Sequence, residues 1–542
     1  MNAIFDSPKP INEPVLSYRK NSEEKKALKE ELKNLISQTI KIPLIIGGEE
    51  VYTEKQMKCI VPHDKNHVLG YCSVAGEKEA DLAIKAAISA KNEWNSLSWN
   101  DRQSIFLKAA SLLSTKYRAV VNAATMLAQS KTVYQAEIDA VCELCDFLRF
   151  NVKYLDQIYA SQPLSDEYTW NKSIYRALEG FVLAVSPFNF TSIAANLPAA
   201  PAMAGNTVIW KPASASVYSS YYIMKLLIEA GLPPGVINFV PGKGSEIGKR
   251  FLTCPNLAGV HFTGSTKVFR GMWKVIGENI DNYKTYPRIV GETGGKDFIF
   301  AHSSASIKAL VAAMIRGGFE YQGQKCSAAS RVYIPESIWF DVKEHLLNET
   351  GKIKMGDVED FSNFMGALID EEAFIKVTRY IQYAKESNEA KILIGGHWDD
   401  GSGYFVEPTV IQTSNPKFIT MEEEIFGPVL TVYVYDDKKL EETLKLCDKT
   451  SGYALTGAIF SQNPTITALM SKILANAAGN FYINDKPTGA VVGRQPFGGA
   501  RHSGTNDKAG SMLNMLRWMS PLTVKESFLP PESFEYPHME EK

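Results

Sequence analysis

The stretch FVLAVSPFNFTSIAANLPAAPAMAGNTVIWKP, residues 181–212, decides the fold. From Gly180 to Trp210 the chain carries no charged side chain. Roughly 20 apolar residues suffice to cross a bilayer, so a membrane helix is one reading. The composition of the stretch argues against it. Pro187, Pro198 and Pro201, with Asn189, Asn196 and Asn206, break the backbone hydrogen bonding that a lipid-facing helix must complete internally. The stretch therefore reads as strand, loop, helix and strand buried in a water-soluble core.

The same alternation continues outward. TVIWKP, VINFVPG, GVHFTGS and RIVGETGG are short β-rich runs separated by helical stretches, the pattern of crossover units in a parallel sheet. A second alternating region opens at 304–350, with VYIP, ILIGG, YFVEPTVI and VLTVYVY as further strands. Upstream, EEKKALKEELKNLISQT (23–39) has the periodicity of an amphipathic helix, and a short β-like piece lies around IPLIIGG. Periodic alanines and leucines from about Glu77 to Tyr159 predict a helical layer. Residues 160–179 mix Trp and Tyr with charge and read as an arm toward another subunit, as does the proline-rich acidic tail beyond Ser520.

Composition limits the function classes. The 542 residues exceed one core, so two or three domains are expected. Apolar residues at 45% and charged ones at 22% are the ordinary globular balance, and a net charge of -2 gives no footprint for nucleic acid or an anionic membrane. Seven scattered cysteines fit free thiols in a reducing compartment. The first residues lack the pattern of a secretory or organelle leader, so a cytoplasmic protein is expected, with a trimmed mitochondrial matrix form as the alternative.

Candidate chemistry gathers where predicted strands end. SPFNF, KPASAS, PGKGSEIG, TGSTKV and GETGG are loops at the carboxyl ends of one sheet, where open parallel sheets bind ligands. GKGSEIG (Gly242, Gly244, Gly248) misses the dinucleotide fingerprint by one residue, whereas Gly264-Ser265-Thr266 feeds a strand into a helix and offers N–H groups to a pyrophosphate. Glu292, among glycines, has the open surroundings of a base that reaches into a cavity. Cys142 and Cys145 form one C-x-x-C on a helical face and read as structural thiols, with no metal site expected. Cys326 stands apart, a lone thiol between Gly323 and a run of small residues. A nucleophilic cysteine needs a partner that manages protons, and a Cys–His hydrolase stays open at this point.

In order and spacing, SPFNF, WKP, FTGS, GETGGK, GQKCSA, EEIFGPV and PFGGARHSGT resemble the aldehyde dehydrogenase superfamily over roughly residues 40–525. EYQGQKCSAASR, EIDAVCELCDFLRFN and GNFYINDKPTGAVVGRQPFGGARHSGTND are similar to its branch that acts on glutamate semialdehyde. The resemblance implies an α/β fold with a parallel-sheet NAD-binding domain, an α/β catalytic domain and a β-arm for oligomerisation. On this chain the implied segments are 1–159 (helical part of the NAD-binding domain), 160–179 (arm), 180–291 (NAD-binding sheet), 292–499 (catalytic domain) and 500–542 (C-terminal return and tail).

The chemistry it implies is NAD-dependent oxidation of L-glutamate 5-semialdehyde to L-glutamate in proline catabolism. Cys326 would be the nucleophile, Glu292 the base for hydrolysis, and Asn189 with the Cys326 N–H the oxyanion hole. Implied cofactor contacts are Ser186, Lys211, Ser214, Gly264, Ser265, Thr266, Lys267, Val268 and Glu424. Implied substrate contacts are Phe190, Phe497, Ser327, Gly489 and Ala490, with Glu143 for the ammonium group. Two departures stand out. Ala490 occupies a position that commonly carries a serine, which removes one bond to the substrate carboxylate. Ser214 stands where NAD-preferring relatives often have an acid, a choice that tolerates NADP although NAD is favoured. A homodimer or higher homo-oligomer is implied, coupled in metabolism to a separate proline dehydrogenase. Alternatives are another acidic semialdehyde such as succinate semialdehyde, a cysteine acyl-hydrolase, or a silent scaffold.

Overall fold

A computed structural model describes residues 5–540. The predicted end segments 1–159 and 500–542 extend beyond it by residues 1–4 and 541–542, which lie outside the described residues. The alternating stretch forms a seven-stranded sheet whose spatial order is Arg288–Glu292, Leu257–Thr263, Phe181–Val185, Thr207–Lys211, Ile237–Phe239, Leu44–Ile46 and Glu49–Val51. The first five strands are parallel and the last two add an antiparallel edge. Alternate residues face opposite layers. Val182, Ala184, Val208 and Trp210 belong to one core, and Phe181, Leu183, Ile209 and Val260 to the other. Burial on both faces is why the strands read as continuous apolar runs.

Chain order reverses between Phe181–Val185 and Leu257–Thr263, since the strands after the first run away on one side and the later ones on the other. Such a switch point opens a crevice at the carboxyl ends of its strands. Here those ends carry Ser186–Phe190 and Gly264–Val268.

After Glu292 the chain crosses through Thr293–Lys296 into a second seven-stranded sheet, ordered 390–394, 409–413, 429–435, 329–335, 297–301, 456–460 and 480–483. All its pairings are parallel except that of Ala390–Ile394 with Thr409–Thr413. Cys326 stands just before Ala329–Pro335, at the amino end of that strand.

Two readings need correction. YFVEPTVI is not one strand: Phe405–Val406 pairs with Trp398–Asp399, and Pro408, which has no N–H for a ladder, separates it from Thr409–Thr413. The single β-like piece near 42–48 is two strands in different sheets, Ile40–Ile42 and Leu44–Ile46, and the hairpin of Gln56–Val61 with Asp64–Ser73 beside it went unread. The predicted arm and tail pair with each other, Thr169–Ala177 against Met519–Ser527, in an antiparallel ribbon that leaves Trp170, Ile174 and Leu522 exposed. Between Glu77 and Ala160 the helical layer is interrupted by a π-helix at Glu137–Glu143. Among the described residues, no helix is long and apolar enough to cross a membrane.

Candidate active site

Cys326 arrives on a backbone that few sequences adopt. The helix Ile307–Phe319 ends, and Tyr321, Gln322 and Gly323 then hold φ of 51°, 55° and 66°. Two consecutive non-glycine residues in the left-handed region cost roughly 1–2 kcal/mol each, so their surroundings must hold them. Gln322 donates through Nε2 to Ser130 O (3.0 Å) and Ala367 O (2.7 Å), while Gln324 Oε1 accepts from Ile369 N (2.9 Å). At Gly323 a Cβ would overlap the Gly427 carbonyl. The result is a half-buried thiol, unlike Cys59, Cys72, Cys142, Cys145 and Cys447, which are buried.

The segment 291–296 lies against it. Cβ atoms built on Gly294 and Gly295 would strike the Glu424 carboxylate and the Cys326 carbonyl respectively, and Gly295 N donates to Glu424 Oε1 at 2.9 Å. The glycine pair thus lets three functional segments meet. Gly295→Ala is expected to displace the Cys326 loop, lowering kcat in the folded enzyme by about 100-fold, as a misplacement on the order of 1 Å does, and costing about 1–3 kcal/mol in denaturant unfolding.

Electrostatics in this cleft favour protonated groups. Burial pushes the Glu292 carboxyl up to about 8, with Lys508 opposing, and Glu292 Oε1 has no hydrogen-bond partner among the described residues. Burial, then the carboxylates of Glu292, Asp297 and Glu424, hold the Cys326 thiol well above its ordinary range. At rest Cys326 keeps its proton, and a perturbed carboxyl nearby can accept one when it ionises.

Asn189 Nδ2 donates to Gln324 O at 3.0 Å, which fixes the amide next to the catalytic loop. An amide nitrogen carries two hydrogens, so one remains for an incoming oxygen. The Cys326 N–H finds no acceptor among the described residues. Together these two donors can meet a developing oxyanion.

The support for both loops was not legible in the sequence. Lys131, 1% exposed, pairs with buried Asp139 at 2.5 Å. Its ammonium lies 4.4 Å from the Phe190 ring centre and 4.5 Å from that of Tyr321. Asp139 also accepts from Thr191 N (3.0 Å) and Ser192 N (2.9 Å), capping the helix that follows Asn189 and Phe190. One buried ion pair thus ties the Asn189 loop to the Cys326 loop. The only signal was a lysine directly after the buried run Val121–Ser130. Lys131→Met leaves Asp139 uncompensated, with an expected loss of about 3–5 kcal/mol in denaturant unfolding and a lower kcat in the folded fraction.

Glu143, Glu292 and Phe497 line one cleft, together with Phe147 and Ile193. Burial and then Asp139 raise Glu143 to about 8, and its carboxyl accepts from Ser192 Oγ at 2.9 Å, so an approaching cation must ionise it. Phe190 is half-buried beneath Lys131. Ser327 Oγ and Thr488 Oγ1 are 2.8 Å apart, joining the Cys326 loop to the loop of Gly489 (φ 94°) and half-buried Ala490. Lys325 and Lys486 share the Glu320 carboxylate, each at 3.1 Å, and brace the same two loops.

Apart from Glu424, which comes from the second sheet's side and meets Gly294 and Gly295, the predicted dinucleotide residues follow strands of the first sheet, with differences from expectation. The Ser186 hydroxyl is buried and accepts from Trp210 Nε1 (3.0 Å). Ser265 caps the helix Thr266–Glu278 by accepting from Val268 N (3.3 Å), so that N–H is engaged. Gly264 N donates to Glu292 O (3.1 Å), and Thr266 Oγ1 lies 3.5 Å from Tyr453 OH. Lys267, Val268 and Ser214 are exposed. Lys211 fits a polyhydroxylated or anionic ligand: burial lowers it to about 8, and its ammonium has one acceptor, Pro212 O at 3.1 Å. Its Cε lies 3.8 Å from a Cβ built on Gly244, the first residue of the helix Gly244–Leu252. An underused cation beside a bare helix start, with a second helix start at Thr266, suits the ribose and phosphates of a dinucleotide.

Comparison with known proteins agrees with this geometry. Residues 50–520 match the model of the aldehyde dehydrogenase family. The mitochondrial delta-1-pyrroline-5-carboxylate dehydrogenase of Dictyostelium discoideum is 52% identical, over 98% of this chain and 96% of its own. The human mitochondrial enzyme of that name is 47% identical over 98% and 95%. A crystal structure of the Mycobacterium tuberculosis delta-pyrroline-5-carboxylate dehydrogenase bound with NAD superposes with a TM-score of 0.96, at 50% identity, covering 99% of this chain and 100% of that one.

Proposed function

We infer the reaction from one premise: the chain belongs to the aldehyde dehydrogenase family. It oxidises L-glutamate 5-semialdehyde, the open form of delta-1-pyrroline-5-carboxylate, to L-glutamate with NAD, in proline breakdown. The observation that carries this is a half-buried Cys326 beside the raised carboxyl of Glu292, with the spare N–H of Asn189 at hand. Relatives named for pyrroline-5-carboxylate at about half identity support the substrate.

Cys326 Sγ bonds to the aldehyde carbon as its proton passes through the Glu292 carboxylate to solvent, while Asn189 Nδ2 and the Cys326 N–H hold the oxygen that becomes anionic. NAD, when bound along Lys211, Gly264–Thr266 and Glu424, supplies the acceptor for the hydride. The acyl group is then a thioester on Cys326. Glu292 takes a proton from water, the hydroxide adds to the thioester carbon, and the C–S bond breaks to free glutamate and restore the thiol. Phe190 and Phe497 enclose the aliphatic middle of the substrate. Ser327, Gly489 and the Ala490 backbone receive its carboxylate, and Glu143 its ammonium.

Seven free thiols fit a reducing cytosol or mitochondrial matrix. The exposed apolar ribbon of Thr169–Ala177 and Met519–Ser527 suits a homo-oligomer in which it lies on another copy, since a two-stranded ribbon alone is marginal. A separate proline-oxidising enzyme supplies the substrate. The substrate assignment is tested by comparing kcat/KM for glutamate 5-semialdehyde and succinate semialdehyde. A clear preference for the former is expected, and the reverse order refutes it. Turnover of esters or thioesters without a nicotinamide cofactor, faster than aldehyde oxidation, would favour an acyl-hydrolase instead.

A further inference from the structure

The residues before the first helix, Glu23–Ile36, run as a strap that bonds to the helix Leu144–Ala160 and to Val492 of the 489–495 loop, outside the span matched by the family model. The strap touches the two walls that receive the opposite ends of an amino-acid substrate. On one side Leu16 N and Tyr18 OH donate to the two oxygens of buried Glu137, at 2.9 and 2.7 Å. Glu13 N donates to Asp146 Oδ1 at 2.7 Å, and the Glu13 carboxylate bridges Arg118 (2.6 Å) and Arg149 (2.8 Å). Glu137 and Asp146 bracket the π-helix that ends at Glu143, and Phe147 of the cleft wall follows Asp146.

Asn12 reaches both walls at once. Its Nδ2 donates to Asp146 Oδ2 at 2.7 Å and to Val492 O at 2.9 Å, while its Oδ1 accepts from Arg494 Nε at 3.2 Å. Val492 lies two residues beyond Ala490, and the glycine after it, Gly493, is in the left-handed region with the Phe150 ring where a Cβ would stand. A π-helix is a rare single-turn irregularity in a helical layer, and the 489–495 loop is a turn closed by Arg494 N and Gln495 N donating to Val491 O. Asn12 connects them by a single side chain.

We propose that Asn12 is a positioning residue that sets the spacing between the Glu143 wall and the Gly489–Val492 loop, and thereby the preference for an aldehyde bearing both an ammonium and a carboxylate group. This rests on the substrate reading above. An aldehyde without those groups uses Cys326, Glu292 and Asn189 but not the spacing of the two walls. Losing the connection therefore acts on selectivity.

The test is the ratio of kcat/KM for glutamate 5-semialdehyde to that for propanal, in the full chain and in Asn12→Ala. The ratio is expected to fall about tenfold, through a higher KM for the semialdehyde, the scale expected when the three Asn12 side-chain hydrogen bonds are lost and the walls drift apart. Ser7→Ala serves as control: the Ser7 hydroxyl donates to Asp156 Oδ2 at the far end of the strap, and the variant loses that bond while the Ser7 N–H keeps its own to the same oxygen, so the strap is loosened away from Asp146 and Val492. A ratio within about twofold of the parent in folded Asn12→Ala overturns the proposal, as does an equal fall in Ser7→Ala. Should Asn12→Ala lose its fold, Asn12→Ser, which keeps one donor, is read by the same two criteria. A parent chain that shows no preference for the semialdehyde overturns the substrate reading and this proposal with it, whereas a selective parent with an unchanged variant overturns this proposal alone.

Discussion

Cys326→Ser is expected to abolish cofactor-dependent aldehyde oxidation, with kcat/KM falling by about 10^4 to 10^6, while Tm stays within a degree or so of the parent. The exchange replaces sulfur by oxygen in a half-buried position whose backbone is fixed from elsewhere, by Gln322 and Gln324 and by the close contacts of Gly295 and Gly323. Nothing in that support depends on the thiol. The chemistry does. Burial already holds the thiol's proton on at neutral pH, and an alcohol in the same place ionises far less readily. The readout is reduction of NAD with the semialdehyde, alongside a thermal melt. Retained turnover in the serine variant would remove Cys326 from the reaction.

Glu292→Gln is expected to lower kcat by about 10^2 to 10^4, the usual range for a general base. The defect falls after hydride transfer, so the variant should give a burst of one reduced nicotinamide per site followed by slow turnover. The parent's kcat should rise with pH as one ionisation with an apparent pKa near 8, because burial raises Glu292 to about 8 and only the carboxylate accepts a proton from water. In the variant that step should disappear. Stability gives an independent check of the same shift. The unfolded chain loses the Glu292 proton near its ordinary value of 4.5, whereas the folded chain keeps it until about 8. Between those values the folded state binds more protons, so this group lowers stability progressively as pH rises through the window, and below it contributes nothing. Glu292→Gln should therefore melt higher than the parent at pH 8 and equally at pH 4. Equal differences at both values would contradict the raised carboxyl.

The parts of this molecule that sequence reveals are those with local periodicity or local composition. Val182 and Ala184 alternate with Phe181 and Leu183 across a doubly covered sheet, and that alternation is visible without coordinates. Glycines around Glu292 and Cys326 stand out because few other roles explain them. What escaped depends on contacts between residues far apart in the chain. The hairpin of Gln56–Ser73 is interrupted by Pro62 and broken by charge, so its period fails. Lys131 becomes meaningful only once Asp139 and the rings of Phe190 and Tyr321 surround it. The inward turn of Ser186 is set by Trp210, 24 residues away. Asn12 is joined to Val492 across 480 positions, a link that no pattern within one segment can announce.

The central claim is that Cys326 turns glutamate 5-semialdehyde into glutamate at the expense of NAD. Its most direct measurement follows purified protein with delta-1-pyrroline-5-carboxylate and NAD, counting reduced nicotinamide and glutamate together, with Cys326→Ser as the blank. The account predicts one glutamate for each reduced nicotinamide and neither product from the blank. Glutamate formed without NAD, or no glutamate while succinate semialdehyde is oxidised efficiently, would contradict it.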